Sequence, residues 1–146
     1  DNAPKLIKKG EEDPFAPKKE GGKEGEGEGG GGEVEGDGGS EYRTSYFTFS
    51  EDFTSNLKGS ETLVQISLAC STRRDGRVLL WLKKHELAIH SELLEVLADT
   101  TDEEVSTVEG KDRLQKRLTA AINKVLTQTE GFGGVDAVYF RSFLVQ

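Results

Sequence analysis

The chain's whole supply of histidine and cysteine is His85, His90 and Cys70. These residue types most often serve as bases, nucleophiles and soft metal ligands near neutral pH. They are not arranged for such work. No Cys–His pairing falls at zinc-ligand spacing, no Gly-x-Ser-x-Gly marks a nucleophile elbow, and there is no phosphate loop. Gly25-x-Gly27-x-x-Gly30 has the spacing of a dinucleotide fingerprint, but no strand pattern precedes it and no helix pattern follows. Its acidic neighbours would repel a pyrophosphate. Asp99 to Glu104 is acidic, yet lacks the alternating ligands and glycine of an EF-hand loop. Glu86 and His90 stand four apart, on one face of a helix and inside its apolar stripe, where charge is costly. They read as an i,i+4 pair at the rim of that stripe or, more sharply, as a polar contact facing a partner subunit. The residues therefore predict no catalytic, cofactor-binding or metal-ligating site, and no enzyme.

The elements that would position any site come next. The 146 residues carry a net charge of −8, of which −6 falls in residues 1–41 and only −2 in 42–146. The acidity belongs to a tail and argues against nucleic acid as a partner. Pro4, Pro14 and Pro17 break residues 1–20, and residues 21–39 contain 11 glycines. Such a segment cannot bury enough apolar surface to offset its chain entropy. Residues 1–41 are expected to be a disordered Gly/Glu-rich linker, with an end-to-end distance of roughly 35 Å. Asp13-Pro14-Phe15-Ala16-Pro17 holds the only aromatic before Tyr42 and reads as plain linker or as a short docking motif. A single cysteine excludes an internal disulfide. The longest apolar run, Val78 to Leu82, is far too short to cross a bilayer. The chain opens on Asp1 rather than Met, and a removed upstream segment is one expectation.

From residue 42 the pattern is that of a folded domain. Phe47, Phe49 and Phe53 occupy odd positions and predict one or two short strands with an inward aromatic face. Val64, Ile66, Leu68 and Cys70 alternate with Gln65, Ser67 and Ala69, a half-buried strand over 62–72 with an inert, buried thiol. Asp75-Gly76 is a turn signal. Leu79, Leu82, Ile89, Leu93, Val96 and Leu97 form the stripe of one helix over 79–98, although Val78 to Leu82 could extend a hairpin in place of its first turn. Thr101 and Glu104 have capping-box spacing around a short helical turn. Ser106 and Glu109 have the same spacing at the head of a helix over 107–127, whose stripe is Leu114, Leu118, Ala121, Ile122 and Val125. Gly131, Gly133 and Gly134 release the chain into a last strand, 135–145. It reads as apolar on both faces, with Val138, Phe140 and Leu144 on one and Ala137, Tyr139, Phe143 and Val145 on the other. Two-sided apolarity predicts a central strand, or a face covered by another molecule. The expected fold class is α+β: a small sheet of three to four strands packed by two main helices.

In this order, residues 42–146 resemble the flagellar basal-body-associated protein FliL family. The resemblance is carried by the Tyr46-x-x-Phe49-x-x-x-Phe53-x-x-Asn56 opening, the strand at Leu63–Leu68, and Ile89-x-x-x-Leu93-Leu94-x-x-Leu97. It continues in Thr107-Val108-Glu109-Gly110-Lys111-x-x-Leu114, Ala121-Ile122-Asn123 and the closing Val135-x-x-Val138-Tyr139-Phe140-x-x-Phe143-Leu144-Val145-Gln146. The Thr-x-Glu-Gly-Lys stretch is its most specific part.

The resemblance implies a periplasmic domain with a stomatin-like (SPFH) fold, joined by a linker to an inner-membrane helix upstream of this chain. It implies a non-enzymatic scaffold at the flagellar basal body that supports the stator units, the ion-driven complexes that generate torque, and that assembles into a homo-oligomeric ring. It brings no cofactor and no catalytic residues. Glu86, His90, Tyr139, Arg141 and Phe143 are the expected contacts with neighbouring subunits or stators. Two other readings stand beside this one: a stomatin-like membrane scaffold unrelated to motility, and a small periplasmic ligand-binding module.

Overall fold

Alternation of Val64, Ile66, Leu68 and Cys70 with polar or small residues gives one strand a fully apolar face, and the domain is built on that strand. The computed structural model describes residues 3–16, 31–34 and 40–146. In chain order these hold β1 (Gly31–Val34), β2 (Thr44–Thr48), β3 (Phe53–Asn56), β4 (Leu63–Thr72), α1 (Arg77–Lys84), α2 (Glu86–Ala98), α3 (Val108–Glu130) and β5 (Ala137–Val145). The class is α+β, as expected. Four strands of one antiparallel sheet fall in 42–146, and β1 adds a fifth.

β4 is the centre of the sheet. β2 pairs with its last residues, from Ser45↔Thr72 to Thr48↔Ala69, and β3 with its first, from Phe53↔Ile66 to Asn56↔Leu63. β5 runs beside β4 from Val64↔Val145 to Ser71↔Ala137. A strand has two edges, so β2 and β3 share one end to end while β5 takes the other. The expectation of a central β5 is corrected: among the described residues it pairs only with β4.

The reason for that error is a bulge. Ser67 pairs with Ser142 but Leu68 pairs with Phe140, so Arg141 has no opposite number. One extra residue reverses the side-chain alternation of everything after it. Partners opposite the buried Val64, Ile66, Leu68 and Cys70 are Val145, Phe143, Phe140 and Val138, and these four share the helix-side face. Ala137, Tyr139, Ser142 and Leu144 share the other. β5 is thus an amphipathic edge strand whose pattern is interrupted once.

The helices cover one face of the sheet. Ile89, Leu93 and Leu97 of α2 and Leu114, Leu118 and Ile122 of α3 are essentially fully buried with Phe47, Phe53 and Ile66. Phe47, Phe49 and Phe53 meet edge to face, at 5.1 and 5.8 Å between centroids. Burial pushes the Cys70 thiol far up, in keeping with an inert side chain. The single helix expected over 79–98 is two, divided at His85, with α1 starting two residues before Leu79. No glycine or proline marks that division. His85 N–H still reaches Trp81 O and Ile89 N–H reaches His85 O, each at 2.9 Å, so backbone bonding continues across the division. Among the described residues no helix is long and apolar enough to cross a membrane.

The capping box expected at Ser106 and Glu109 is shifted by one residue. Thr107 is the N-cap of α3, its Oγ1 accepting from Gly110 N–H at 2.9 Å, while Ser106 Oγ donates back to Glu103 O. Gly110 is required there: a Cβ would lie 2.0 Å from Glu104 O. The Thr101–Glu104 box forms as read. Glu104 N–H donates to Thr101 Oγ1 at 3.2 Å and Thr101 N–H to Glu104 Oε1 at 2.9 Å. α3 ends at Gly131, in the left-handed region at φ 89°.

The expectation of a disordered linker over 1–41 divides. Residues 1–2, 17–30 and 35–39, which include most of the linker's glycine-rich part and all of the Gly25–Gly30 pattern, lie outside the described residues, while residues 31–34 form β1 and depart from that expectation. Residues 3–16 do not fit that expectation. They lie against the domain, with Ile7 buried, and are termed the strap below.

Thr107→Ala is expected to lower stability by about 1 kcal/mol, and Ser106→Ala by less than about 0.5 kcal/mol. Urea unfolding of the two variants checks this; the reverse order would restore the cap to Ser106.

Candidate functional site

The five residues expected to contact partners do not form one surface. Glu86 begins α2, and its carboxylate accepts from Ser50 N–H and Ser50 Oγ, both at 2.9 Å. His90, one turn on, stacks on Phe53 with ring centroids 4.4 Å apart and planes 19° apart. The two are not each other's partners, so the expected i,i+4 pair is corrected. Each ties α2 to the chain between β2 and the start of β3. Polar groups tolerated at the rim of an apolar stripe are here explained inside the domain.

Tyr139, Arg141 and Phe143 lie along β5 but face different ways. Phe143 is half-buried on the helix side, edge to face with Phe140 at 4.9 Å, with the Lys111 ammonium 4.8 Å above its ring. Tyr139 is exposed on the opposite face, 6.0 Å from Tyr46, its hydroxyl 3.3 Å from Ser71 Oγ. Arg141 is the exposed bulge residue between them.

A groove of about 490 Å³ runs along the start of β5. It is lined by Asp112, Gln115, Lys116, Thr119 and Ala120 of α3 and by residues 136–139. Gln115 Nε2 donates to Val138 O at 2.7 Å, so one backbone acceptor of the unpaired edge is already satisfied by a side chain. Asn123 fixes the strand's entry by exchanging two hydrogen bonds with Val135, at 3.0 and 2.9 Å. The second half of β5 carries the exposed Leu144 and Val145. A bulge and a capping side chain blunt one half of the edge, while the other half stays open to strand addition.

The most densely built polar site lies where β2 and β4 diverge, and sequence reasoning missed it. The strap enters between the segments flanking these strands. Ile7 N–H donates to Arg73 O at 3.1 Å and Arg43 N–H donates to Ile7 O at 2.9 Å. Asp75 N–H reaches Lys5 O on one side and Lys9 N–H reaches Glu41 O on the other. The strap is thus bonded on both its edges. Asp13 then places its carboxylate against the guanidinium of Arg43, and both side chains are only 2% exposed. Arg43 is held by Ser45 Oγ, and the same carboxylate accepts from Gly76 N–H at 3.0 Å. At Gly76 a Cβ would stand 1.9 Å from Phe15 O, so only glycine admits the strap. Arg77 covers the Phe15 ring at 4.3 Å. The only sequence signals were the Asp-Pro-Phe motif and an arginine, Arg43, beside an inward-facing strand.

Asp75 joins this site to α1. Burial alone would raise its pKa, but hydrogen bonds from the Arg77 side chain and from Lys5 and Arg77 N–H outweigh it and hold the carboxyl below its ordinary value. At the far end of α1, His85 Nε2 lies 2.7 Å from Glu130 Oε2, and Lys84 Nζ lies 3.2 Å from the same oxygen. The His85 hydrogen bond, reinforced by Lys84, holds the Glu130 carboxyl below its ordinary value. Among the described residues no three His, Cys, Asp or Glu side chains are placed to hold a metal ion.

Comparison with known proteins gives this arrangement a context. The sequence model of the family described as flagellar basal body-associated protein FliL matches residues 46–146. The chain is 30% identical over 95 residues to the flagellar protein FliL of Aquifex aeolicus, covering 64% of this chain and 56% of that one. It is 29% identical over 96 residues to the flagellar protein FliL of Bacillus subtilis, covering 66% of this chain and 64% of that one. The chain thus spans less than two thirds of the length of either relative. Proteins of that family are structural, motor-associated proteins and not enzymes.

Two outcomes follow from the polar sites. Asp13→Ala leaves a buried guanidinium without its carboxylate and is expected to cost about 3 kcal/mol or more, read by urea unfolding. Glu130 has a depressed pKa in the folded state, so its contribution is present above the ordinary carboxylate pKa of about 4.3 and is lost as pH falls through the folded value. The unfolding midpoint of Glu130→Gln is expected to fall less steeply below about pH 4.3 than that of the unaltered chain. Parallel pH profiles would remove the interaction from the account.

Proposed function

The chain belongs to the family of flagellar basal body-associated FliL proteins, and on that footing we propose that it is a membrane-tethered scaffold that assembles with its own copies beside the flagellar motor and supports the stator units. The observation that carries the reading is the extent of the family match, which runs from within β2 through β5. The geometry is in keeping with it. Ionisable side chains near the expected contacts are committed inside the domain, and the free features are an edge and a groove, which suit association rather than catalysis.

In this reading an upstream helix anchors the chain in the inner membrane and residues 42–146 form the periplasmic domain. The exposed side of β5, with Tyr139 and Arg141 and the open end at Leu144 and Val145, meets a neighbouring subunit or a stator component, and Phe143 holds that strand in place from beneath. Anchoring raises the local concentration of domains, so weak edge contacts suffice for a ring. A stomatin-like scaffold without a motor role would share the fold and the assembly. The groove beside β5 lies open along an edge and fits an extended segment better than an enclosed small ligand.

A strain lacking the protein is expected to swim less well in soft agar and at raised viscosity, with fewer fluorescent stator units at each motor. Restoration with Tyr139→Glu/Arg141→Glu is expected to leave the domain folded and the defect uncorrected. Normal swimming and stator number in the deletion strain would overturn the motor role, and full rescue by the variant would remove β5 from the contact.

A further inference from the structure

The strap cleft has the form of a binding site already filled by its own chain. Its receptor side consists of Arg43 held by Ser45, the N–H of Gly76, and the two diverging backbones at 41–43 and 73–75. Its ligand side is the strap, with Asp13 as buried anchor, Ile7 as apolar insert and Phe15 beneath Arg77. The Asp13-Pro14-Phe15 motif therefore has a receptor on this same chain. Every cross-contact named joins residues at least 30 positions apart in sequence. Such contacts place no condition on which copy supplies the strap.

Chain length allows the alternative. Fourteen residues, 17–30, connect the strap to β1, and a chain of that length spans at most about 50 Å. A domain of about 100 residues has a radius of gyration of about 13 Å, so the spacer at full extension is long enough to reach past the domain.

We propose that the strap is an exchangeable clasp: residues 3–16 of one copy occupy the cleft of a second copy, linking domains through the same Asp13–Arg43 contact that closes a single chain. The two arrangements contain identical contacts and differ only in the effective concentration of the strap, as in domain swapping. Dilute chains keep their own strap. Chains crowded to the millimolar effective concentration of a short tether are expected to place about half of their straps in a neighbour. The clasp adds a specific link between copies to the assembly proposed above, and it requires crowding rather than a motor.

The bridge Leu6↔Arg74 offers a test. Its flanking bonds, Ile7 N–H to Arg73 O and Asp75 N–H to Lys5 O, make it a non-hydrogen-bonded pair, the closest kind of cross-strand pair. Full chains carrying Leu6→Cys are mixed with full chains carrying Arg74→Cys at high concentration and oxidised in a thiol–disulfide buffer; Cys70 is buried and does not compete. The control mixture replaces Arg74→Cys by the exposed Glu103→Cys. The double variant Leu6→Cys/Arg74→Cys reports closure within one chain. The pair Lys8→Cys and Tyr42→Cys, from the second bridge, repeats the measurement independently.

Mixed dimers several-fold above the control at high concentration, giving way to closed monomers of the double variant on dilution, are expected. Mixed dimers no more abundant than the control, with the double variant closing only on itself, would overturn the exchange. A double variant that closes in neither way, at either bridge, would overturn the clasp itself. None of these results bears on swimming of the deletion strain, so the two proposals fail separately.

Discussion

The fold depends on the pairing capacity of β4. One ten-residue strand bonds three others, two end to end on one edge and one along the whole of the other. Val64, Ile66, Leu68 and Cys70 are wholly buried beneath the helices, while Gln65, Ser67 and Ala69 face the uncovered side. Register is strongly determined under such conditions, because a slip by one residue would turn Val64, Ile66, Leu68 and Cys70 toward water. The positions of β2, β3 and β5 follow from it, and so does the floor on which α2 and α3 pack. Sharing an edge end to end leaves four residues, 49–52, opposite only residues 67–68 of β4, so the β2–β3 connection must bulge away from the edge. The Glu86 carboxylate on Ser50 and the His90 ring on Phe53 hold that connection from α2.

The same arrangement creates a local difficulty that the strap resolves. β2 and β4 pair only as far as Ser45↔Thr72, and beyond that point each backbone would otherwise present unpaired groups. An inserted segment bonded on both sides satisfies them. Arg43 stands at the divergence, and a buried guanidinium is tolerated only where a carboxylate and further hydrogen bonds compensate its lost hydration. Asp13 and Ser45 provide these. Asp75 serves both partners, bonding Lys5 N–H of the strap and capping the first turn of α1 through Arg77 N–H at 3.1 Å. The strap and α1 are therefore positioned by one residue.

Much of this architecture is legible in the sequence, and the exceptions share a cause. The alternation of β4, the stripe of α3 and the aromatic positions 47, 49 and 53 are periodic signals, and periodicity survives without knowledge of neighbours. The bulge at Arg141 is not periodic. It converts a one-faced strand into an apparently two-faced one, and an edge strand was read as a central one for that reason alone. The division at His85 and the cap at Thr107 are single-residue choices made by tertiary contacts, the first beside Glu130 and the second beside Glu104. The strap escapes composition-based reading because its partners lie far along the chain. Three prolines and few apolar residues describe a linker well, and one buried ion pair with four backbone bonds is enough to make part of it structure.

The distribution of polar groups explains why this domain is suited to association rather than chemistry. Catalytic groups are held near a cleft with their reactive atoms uncommitted, often at some cost to stability. Here the opposite holds. Glu86, His90, Asp13, Arg43, Asp75 and Glu130 each complete a structural contact, and the one thiol is sealed in the core. Among the described residues, what stays uncommitted is backbone at the outer edge of β5, capped by Gln115 at Val138 and open toward Val145. An open edge recognises an extended chain with little regard to its sequence, so specificity must come from what flanks it and from what is tethered nearby. The assembly proposed above would draw that specificity from tethering, which brings neighbouring copies within reach of one another. In that proposal edge, groove and strap are three ways of joining identical units, each weak alone and each made effective by proximity.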